Sequence, residues 1–426
     1  MADLQKDYSI KTKYGRTVTV LEKLGEGGQG AVYKVDYDGK PKALKWYHRG
    51  YVEKLKAPNK FFENLDNNIK KGAPTDSFLW PLDILKNEES LGYIMDLRPP
   101  EYRDFSLFLL AREKFASVTA MVNAALNITA GFRELHNKGY SYQDLNDGNF
   151  FINPKSGAVL ICDNDNVSEY GKSSGIAGKA RYMAPEIVIG KASPGTKTDS
   201  FSLAVVLFLL FINDHPLEGK KTCIPCMTEE HEKKFYGKEP VFIYDPADTS
   251  NRPEPGIHRN ALKRWTRYPV YLREMFQKAF SKQALSDPAY RVLEIEWLRL
   301  FIRLRAEIFK CSCGEVFFAD ASESVSCPSC GKSNKFALRI KTSRYTVPVH
   351  QRTKLYACHT ELESNDFSTL TGEAAQQGDS FFLKNASNKT WYVTENKKTI
   401  TVATGSLAPL RRGITIDFGG ETAQII

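Results

Sequence analysis

Two stretches decide the fold: Tyr140–Ile152, YSYQDLNDGNFFI, and Ala158–Val167, AVLICDNDNV. In the first, Asp144 stands five positions before Asn149, with Asn146 and Asp147 between them, and strand formers come directly after. The second is itself a strand-like run, and it ends in Asp163, Asn164 and Asp165. Turn propensity accounts for either polar cluster taken singly. It does not account for two successive β-like runs each carrying a group of acids and amides at one end.

Upstream, LGEGGQGAVYKV places Gly25, Gly27 and Gly30 in G-x-G-x-x-G spacing, followed by Val32. A dinucleotide-binding fold needs a helix after such glycines. Here AVYKVDY alternates like a strand, so the glycines read as a hairpin. Lacking Cβ atoms, such a hairpin can bring backbone N–H groups close to phosphate oxygens. Lys45, in the apolar strand KALKWY, then reads as a cation for those oxygens that a carboxylate must orient. Glu63, in the helical stretch PNKFFENLDNNIKKG, is the expected partner; Glu53 lies before Pro58 and outside that helix.

These elements, with RYMAPE, TDSFSLA and DPAYR, occur in the order of a protein kinase domain, and the chain resembles that family over residues 15 to 305. The resemblance implies an α+β, two-lobed protein-kinase fold: a strand-rich small lobe over residues 1–100 and a helical large lobe over 101–308. It implies ATP and Mg²⁺ as cofactors and protein Ser/Thr hydroxyls as acceptors, with autophosphorylation. By resemblance Asp144 orients or deprotonates the acceptor hydroxyl, and Asn149 and Asp163 hold Mg²⁺. Met95 guards the adenine pocket, and the backbone from Asp96 to Arg98 bonds the base. Glu186 pairs with Arg291, and Asp199 accepts backbone N–H bonds from the catalytic loop.

The departures are informative. His-Arg-Asp of the family reads Tyr142-Gln143-Asp144, which removes one docking site for a phosphorylated loop. Asp-Phe-Gly reads Asp163-Asn164-Asp165, where Asp165 either adds a metal contact or faces water, the second being the expectation. Asn146 stands where Ser/Thr kinases carry a lysine, while Lys179 in GKARYMAPE replaces a threonine. The expectation is that the cation has moved from one loop to the other and that Lys179 supplies transition-state charge. Ser168, Tyr170, Ser173 and Ser174 are candidate autophosphorylation sites.

Beyond the kinase-like region, Cys311, Cys313, Cys327 and Cys330 form two close pairs, each followed by glycine. Two such turns suit a closed, structural Zn²⁺ site, so residues 309–336 read as a zinc ribbon. Cys223 and Cys226 read as ordinary thiols. Residues 341–426 alternate short strands with Asn, Gly and Ser turns; this small all-β module loosely resembles forkhead-associated β-sandwiches and is expected to bind a partner protein. The order kinase, ribbon, β module also resembles bacterial eukaryotic-like kinases, including those associated with tellurite-resistance phosphorylation triads.

At 426 residues the chain exceeds one ordinary core. Its formal charge of +9 is dispersed, without a basic run, which argues against a nucleic-acid tail. The greasiest segment, Leu203–Ile212, is about half the roughly 20 residues that span a bilayer, so a buried helix is expected rather than a membrane contact. The N-terminus lacks an apolar signal core, and with eight cysteines the expectation is a cytoplasmic protein with thiols and metal. The competing reading is a nucleotide-binding pseudokinase that acts as a scaffold through its ribbon and β module.

Overall fold

The structure is a computed structural model, and it describes residues 4–53, 58–86, 91–169, 171, 178–320 and 324–426. The chain divides into two compact units: Met1–Trp265 with Glu274–Glu294, and Thr266–Arg273 with Ile295–Ile426.

In the first unit, β1 (Ser9–Lys11), β2 (Thr17–Glu26), β3 (Gly30–Tyr37) and β4 (Lys40–Tyr47) run as an antiparallel meander. A short α1 (Arg49–Val52) and the longer α2 (Pro58–Lys71) come next, then β5 (Asp83–Lys86) and β6 (Leu91–Met95). The sheet order is β1-β2-β3-β4-β6-β5, so β4 lies between β3 and β6. Alternation in β3 sends Ala31, Tyr33, Val35 and Tyr37 to one apolar cluster with Val18, Leu44 and Ile94. The other face of the sheet, with Ala43, Tyr47, Tyr93 and Met95, packs on Phe61, Phe62 and Leu65 of α2. Gly30 is required by this packing, because a Cβ there would stand 2.1 Å from the Trp46 carbonyl oxygen.

Helices dominate the remainder of this unit. Val118–Asn137 is capped by Ser117 and buries Ala125, Ile128, Phe132 and Leu135 along one face. Thr196–Ile212 is buried from Thr198 through Ile212, as its apolar run requires. Between these helices the short strands Phe150–Ile152 and Val159–Ile161 pair antiparallel and carry the two acidic loops at their ends.

In the second unit two hairpins, Ile308–Lys310 with Val316–Phe318 and Ser324–Ser326 with Ser333–Lys335, bear the four cysteines in their turns. After them the chain forms a β-sandwich. One sheet has six strands, in the order Thr346–Pro348, Arg339–Lys341, Thr422–Ile425, Thr415–Asp417, Trp391–Glu395, Lys398–Val402. The other has four, Lys354–Tyr356, Leu370–Gln377, Ser380–Asn385 and Leu407–Leu410. The sheets meet where a Cβ on Gly372 would touch the Trp391 ring at 3.2 Å and where Asn385 Nδ2 donates to the Val402 carbonyl at 3.1 Å. Among the described residues, no helix is long and apolar enough to cross a membrane.

Candidate active site

Lys45 sits in β4 between Val32 of β3 and Tyr93 of β6, which are its register partners on either side. It is 5% exposed. A buried ammonium requires anionic partners. It has Asp165 Oδ2 at 3.0 Å, Asp165 Oδ1 at 3.3 Å and Asp163 Oδ1 at 3.2 Å, with Gln29 Oε1 of the glycine loop at 2.8 Å. Burial alone would lower the Lys45 pKa; Asp163 and then Asp165 outweigh it and raise the pKa above its ordinary value.

Two expectations are corrected here. Glu63 is exposed on α2, away from Lys45, because α2 turns Phe61, Phe62 and Leu65 inward instead. Asp165 does not face water: it is 0% exposed, salt-bridged to Lys45 and hydrogen-bonded by the Tyr47 hydroxyl. The helix α2 is held to the segment after Asp165 by other groups. Asn64 and Asn68 both donate to the Val167 carbonyl, at 2.7 and 2.9 Å, and Lys71 pairs with Glu169.

Asp163 adopts left-handed backbone geometry, φ +55°, and its side chain remains 39% exposed at the mouth of the cleft. A non-glycine residue held there is strained, a condition that clusters at functional sites. Asn164 is buried and donates to the Leu79 and Ile161 carbonyls, both at 2.9 Å, which fixes the turn on which Asp163 and Asp165 stand.

Asp144 lies on the facing loop. Burial pushes its carboxyl up to about 6; the Asn146 hydrogen bond opposes this and Asp163 adds to it. Asn146 Nδ2 reaches Asp144 Oδ1 at 3.2 Å, and Lys179 Nζ reaches Asn146 Oδ1 at 3.0 Å and Asp147 Oδ1 at 3.4 Å. The Lys179 amine therefore lies against the loop that carries Asp144, joined to Asp144 through Asn146. Asn149 is buried; its Oδ1 accepts from Asn146 N at 2.7 Å and keeps a second lone pair for another partner.

The two loops are tied together. The Tyr142 hydroxyl donates to the Cys162 carbonyl, and Cys162 N donates to Asn149 O at 2.9 Å. Asp199 accepts from Tyr142 N at 2.6 Å and Gln143 N at 3.1 Å, and Gly195 rather than Asp199 caps its helix. Arg291 grips Glu186 with both ends of its guanidinium, at 2.8 and 2.6 Å.

The apolar end of the cleft gathers Val32, Ala43, Met95, Leu97, Phe151 and Cys162 in one cluster. Asp96 and Arg98 lie at its rim; Arg98 is 4.4 Å over the Phe151 ring. Gly25 and Gly27 have neither positive φ nor any protein atom within 4 Å of where a Cβ would stand, so nothing within the chain demands glycine there. An open backbone above Lys45 fits a phosphate chain.

Sequence reasoning missed Asp165 as a partner of Lys45, the Tyr142 hydroxyl tie, and Gly178. A Cβ on Gly178 would stand 2.9 Å from Asp144 Oδ1, so that residue must be small. Ser168 is buried in a strand pair with Ser141, out of reach of modification in this conformation. Tyr170, Ser173 and Ser174 lie outside the described residues.

In the second unit the Sγ atoms of Cys311, Cys313, Cys327 and Cys330 all lie within 4.8 Å of one another. Cys311 and Cys330 are 3.9 Å apart, and Cys313 and Cys327 3.6 Å. Tetrahedral Zn–S bonds of about 2.3 Å put sulfurs about 3.8 Å apart, so the spacing fits that metal. Gly314 and Gly331, at φ +98° and +71°, close the two turns. Among the described residues Cys223 and Cys226 form no such group.

A glycine hairpin over a buried lysine, with two facing acidic loops between a strand-rich and a helical part, is the arrangement the sequence motifs lead one to expect. The family model for the protein kinase domain matches residues 18–254, and the chain belongs to that family. A probable cyclin-dependent serine/threonine-protein kinase of Dictyostelium discoideum is 27% identical over 49% of this chain and 32% of its own length. The maize probable serine/threonine-protein kinase CCRP1 is 25% identical over 46% and 31%. Protein kinase YegI of Escherichia coli is 23% identical over 78% of this chain and 51% of its own length, a stretch that takes in the cysteine region. The chain thus spans about a third to a half of the length of these relatives.

Proposed function

We propose that the chain is an ATP- and Mg²⁺-dependent protein kinase that transfers the γ-phosphoryl group to Ser/Thr hydroxyls of protein substrates, itself included. The observation that carries this reading is the convergence on one cleft of Lys45, Asp163 and Asp144 beneath Gly25 and Gly27, which the fold does not otherwise need. Asp163 and Asn149 would hold Mg²⁺, which neutralises phosphate charge when bound. Asp144 would orient the acceptor hydroxyl and take its proton. The Lys179 amine, delivered to Asn146, would supply the positive charge the catalytic loop lacks. Val32, Ala43 and Met95 would enclose the adenine, with Asp96 to Arg98 along its edge.

The four-cysteine cluster would hold a structural Zn²⁺, closed to substrate because all four positions are thiolate. The β-sandwich would bind a partner protein. None of the eight cysteines is in a disulfide, in keeping with a reducing compartment, and we place the protein in the cytoplasm.

Incubation with γ-labelled ATP and Mg²⁺, followed by mass spectrometry of the phosphorylated residues, tests the proposal. Label on Ser or Thr supports it. Nucleotide binding without any transfer, to itself or to a generic basic protein, would favour a scaffolding pseudokinase instead.

A further inference from the structure

The carboxylate nearest Lys45 comes from an unexpected place. Asp165 is two residues beyond Asp163, so both partners of the lysine stand on one turn with only Asn164 between them. That turn is pinned from beneath by Asn164, through its two backbone hydrogen bonds at 2.9 Å. Tyr47 and Tyr93 wall the pair, their ring centroids 5.4 and 5.9 Å from Lys45 Nζ, and the Tyr47 hydroxyl holds Asp165 from the other side. Removing two charges from water is costly, and the cost is offset only where geometry is good and the remaining lone pairs are satisfied. Here Lys45 reaches both carboxylate oxygens of Asp165, and the Tyr47 hydroxyl reaches one of them.

On α2, the helix on which Glu63 lies, aromatic rings face this site. Phe61 packs edge-on against Tyr47 at 5.7 Å, and Glu63 is solvent-exposed. The polar ties of α2 to the rest of the unit include Asn64, Asn68 and Lys71, and Asp66, which pairs with Lys13 and accepts from the Tyr14 hydroxyl. None of them touches Lys45.

We infer that Asp165 is the positioning residue for Lys45, and that the lysine stays seated for phosphate whatever carboxylate α2 carries. Making and breaking an ion pair to α2 is then not a switch for this site. The functional meaning rests on the kinase reading, but the geometry can be tested without it.

Trace acetylation of the nucleotide-free chain with acetic anhydride, quantified by mass spectrometry, measures the reactivity of the Lys45 amine against exposed Lys155. Asp165→Asn should raise Lys45 labelling severalfold, because the amine loses the carboxylate that seats and shields it. Tyr47→Phe should raise it less, in the same direction, and Glu63→Ala should leave it at the wild-type level. Melting curves report whether each variant is folded; Glu63→Ala, a surface change, keeps the test decisive if Asp165→Asn does not fold. Increased labelling in Glu63→Ala, or wild-type labelling in folded Asp165→Asn, overturns the inference. Absence of phosphoryl transfer by the wild-type chain would sink the kinase reading alone and leave the labelling result standing.

Discussion

His136 Nε2 lies 3.1 Å from Asp199 Oδ2, and the same carboxylate receives the backbone N–H groups of Tyr142 and Gln143. The other ring nitrogen of His136 is 3.0 Å from Glu294 Oε1, which Ser200 also reaches. The imidazole is thus clamped between two carboxylates, one of which holds the loop that bears Asp144.

That clamp predicts alkaline sensitivity. Burial alone would lower the His136 pKa, but the Asp199 and Glu294 hydrogen bonds raise it to about 9. A histidine whose folded pKa is raised contributes its full stability below the unfolded value of about 6.5 and loses it as pH rises towards 9. The contribution is up to about 3 kcal/mol. Chemical denaturation of the wild type should show stability falling between these pH values, and His136→Gln should flatten that slope. Equal slopes for the two proteins would contradict the clamp.

Turnover should follow the ionisation of Asp144. A base acts only when deprotonated, and burial raises this carboxyl to about 6. Below that pH the rate should drop about tenfold per unit. A rate–pH profile at saturating ATP that stays flat down to pH 5 would remove Asp144 from the role of base.

Lys179→Ala should cut turnover about 10²-fold, the scale on which a preorganised charge acts in a transition state, with little change in the KM for ATP. Lys179→Arg should recover part of the loss. Near-normal turnover of the alanine variant would show that the amine only decorates the surface, where its side chain is 58% exposed.

One zinc per chain should purify with the protein. Its removal by a strong chelator should lower the melting temperature of the unit bearing Cys311–Cys330, because such metal binding contributes folding free energy. Cys311, Cys313, Cys327 and Cys330 reacting with a thiol reagent as fast as the exposed Cys223 and Cys226 in the freshly isolated protein would contradict this.

Local signals carried the sequence reading furthest. The glycine spacing before a strand, Lys45 within that sheet, the order of the two acidic loops and the paired cysteine turns are each written within a few residues. The Glu186–Arg291 pair, 105 residues apart, was legible only because the ordered motifs resemble a family. Asp165 was not legible. Its burial depends on Tyr47 and Tyr93, which reach it from strands far away in sequence, and nothing near Asp165 announces them. Glu63 was misassigned for a related reason: helical spacing shows that α2 has an inner face, but the aromatic residues around Glu63 claim that face. The demand on Gly178 comes from a carboxylate on another loop, so it appears only once the chain is folded.

Joint action of Lys45, Asp163 and Asp144 on one triphosphate is the core of the proposed chemistry. It is tested most directly by the rate of label transfer from γ-labelled ATP to protein, comparing the wild type with folded Asp144→Asn. The wild type should transfer label steadily, and the variant should lose at least about 10²-fold, the scale of a lost general base. Equal rates in the two proteins would contradict it.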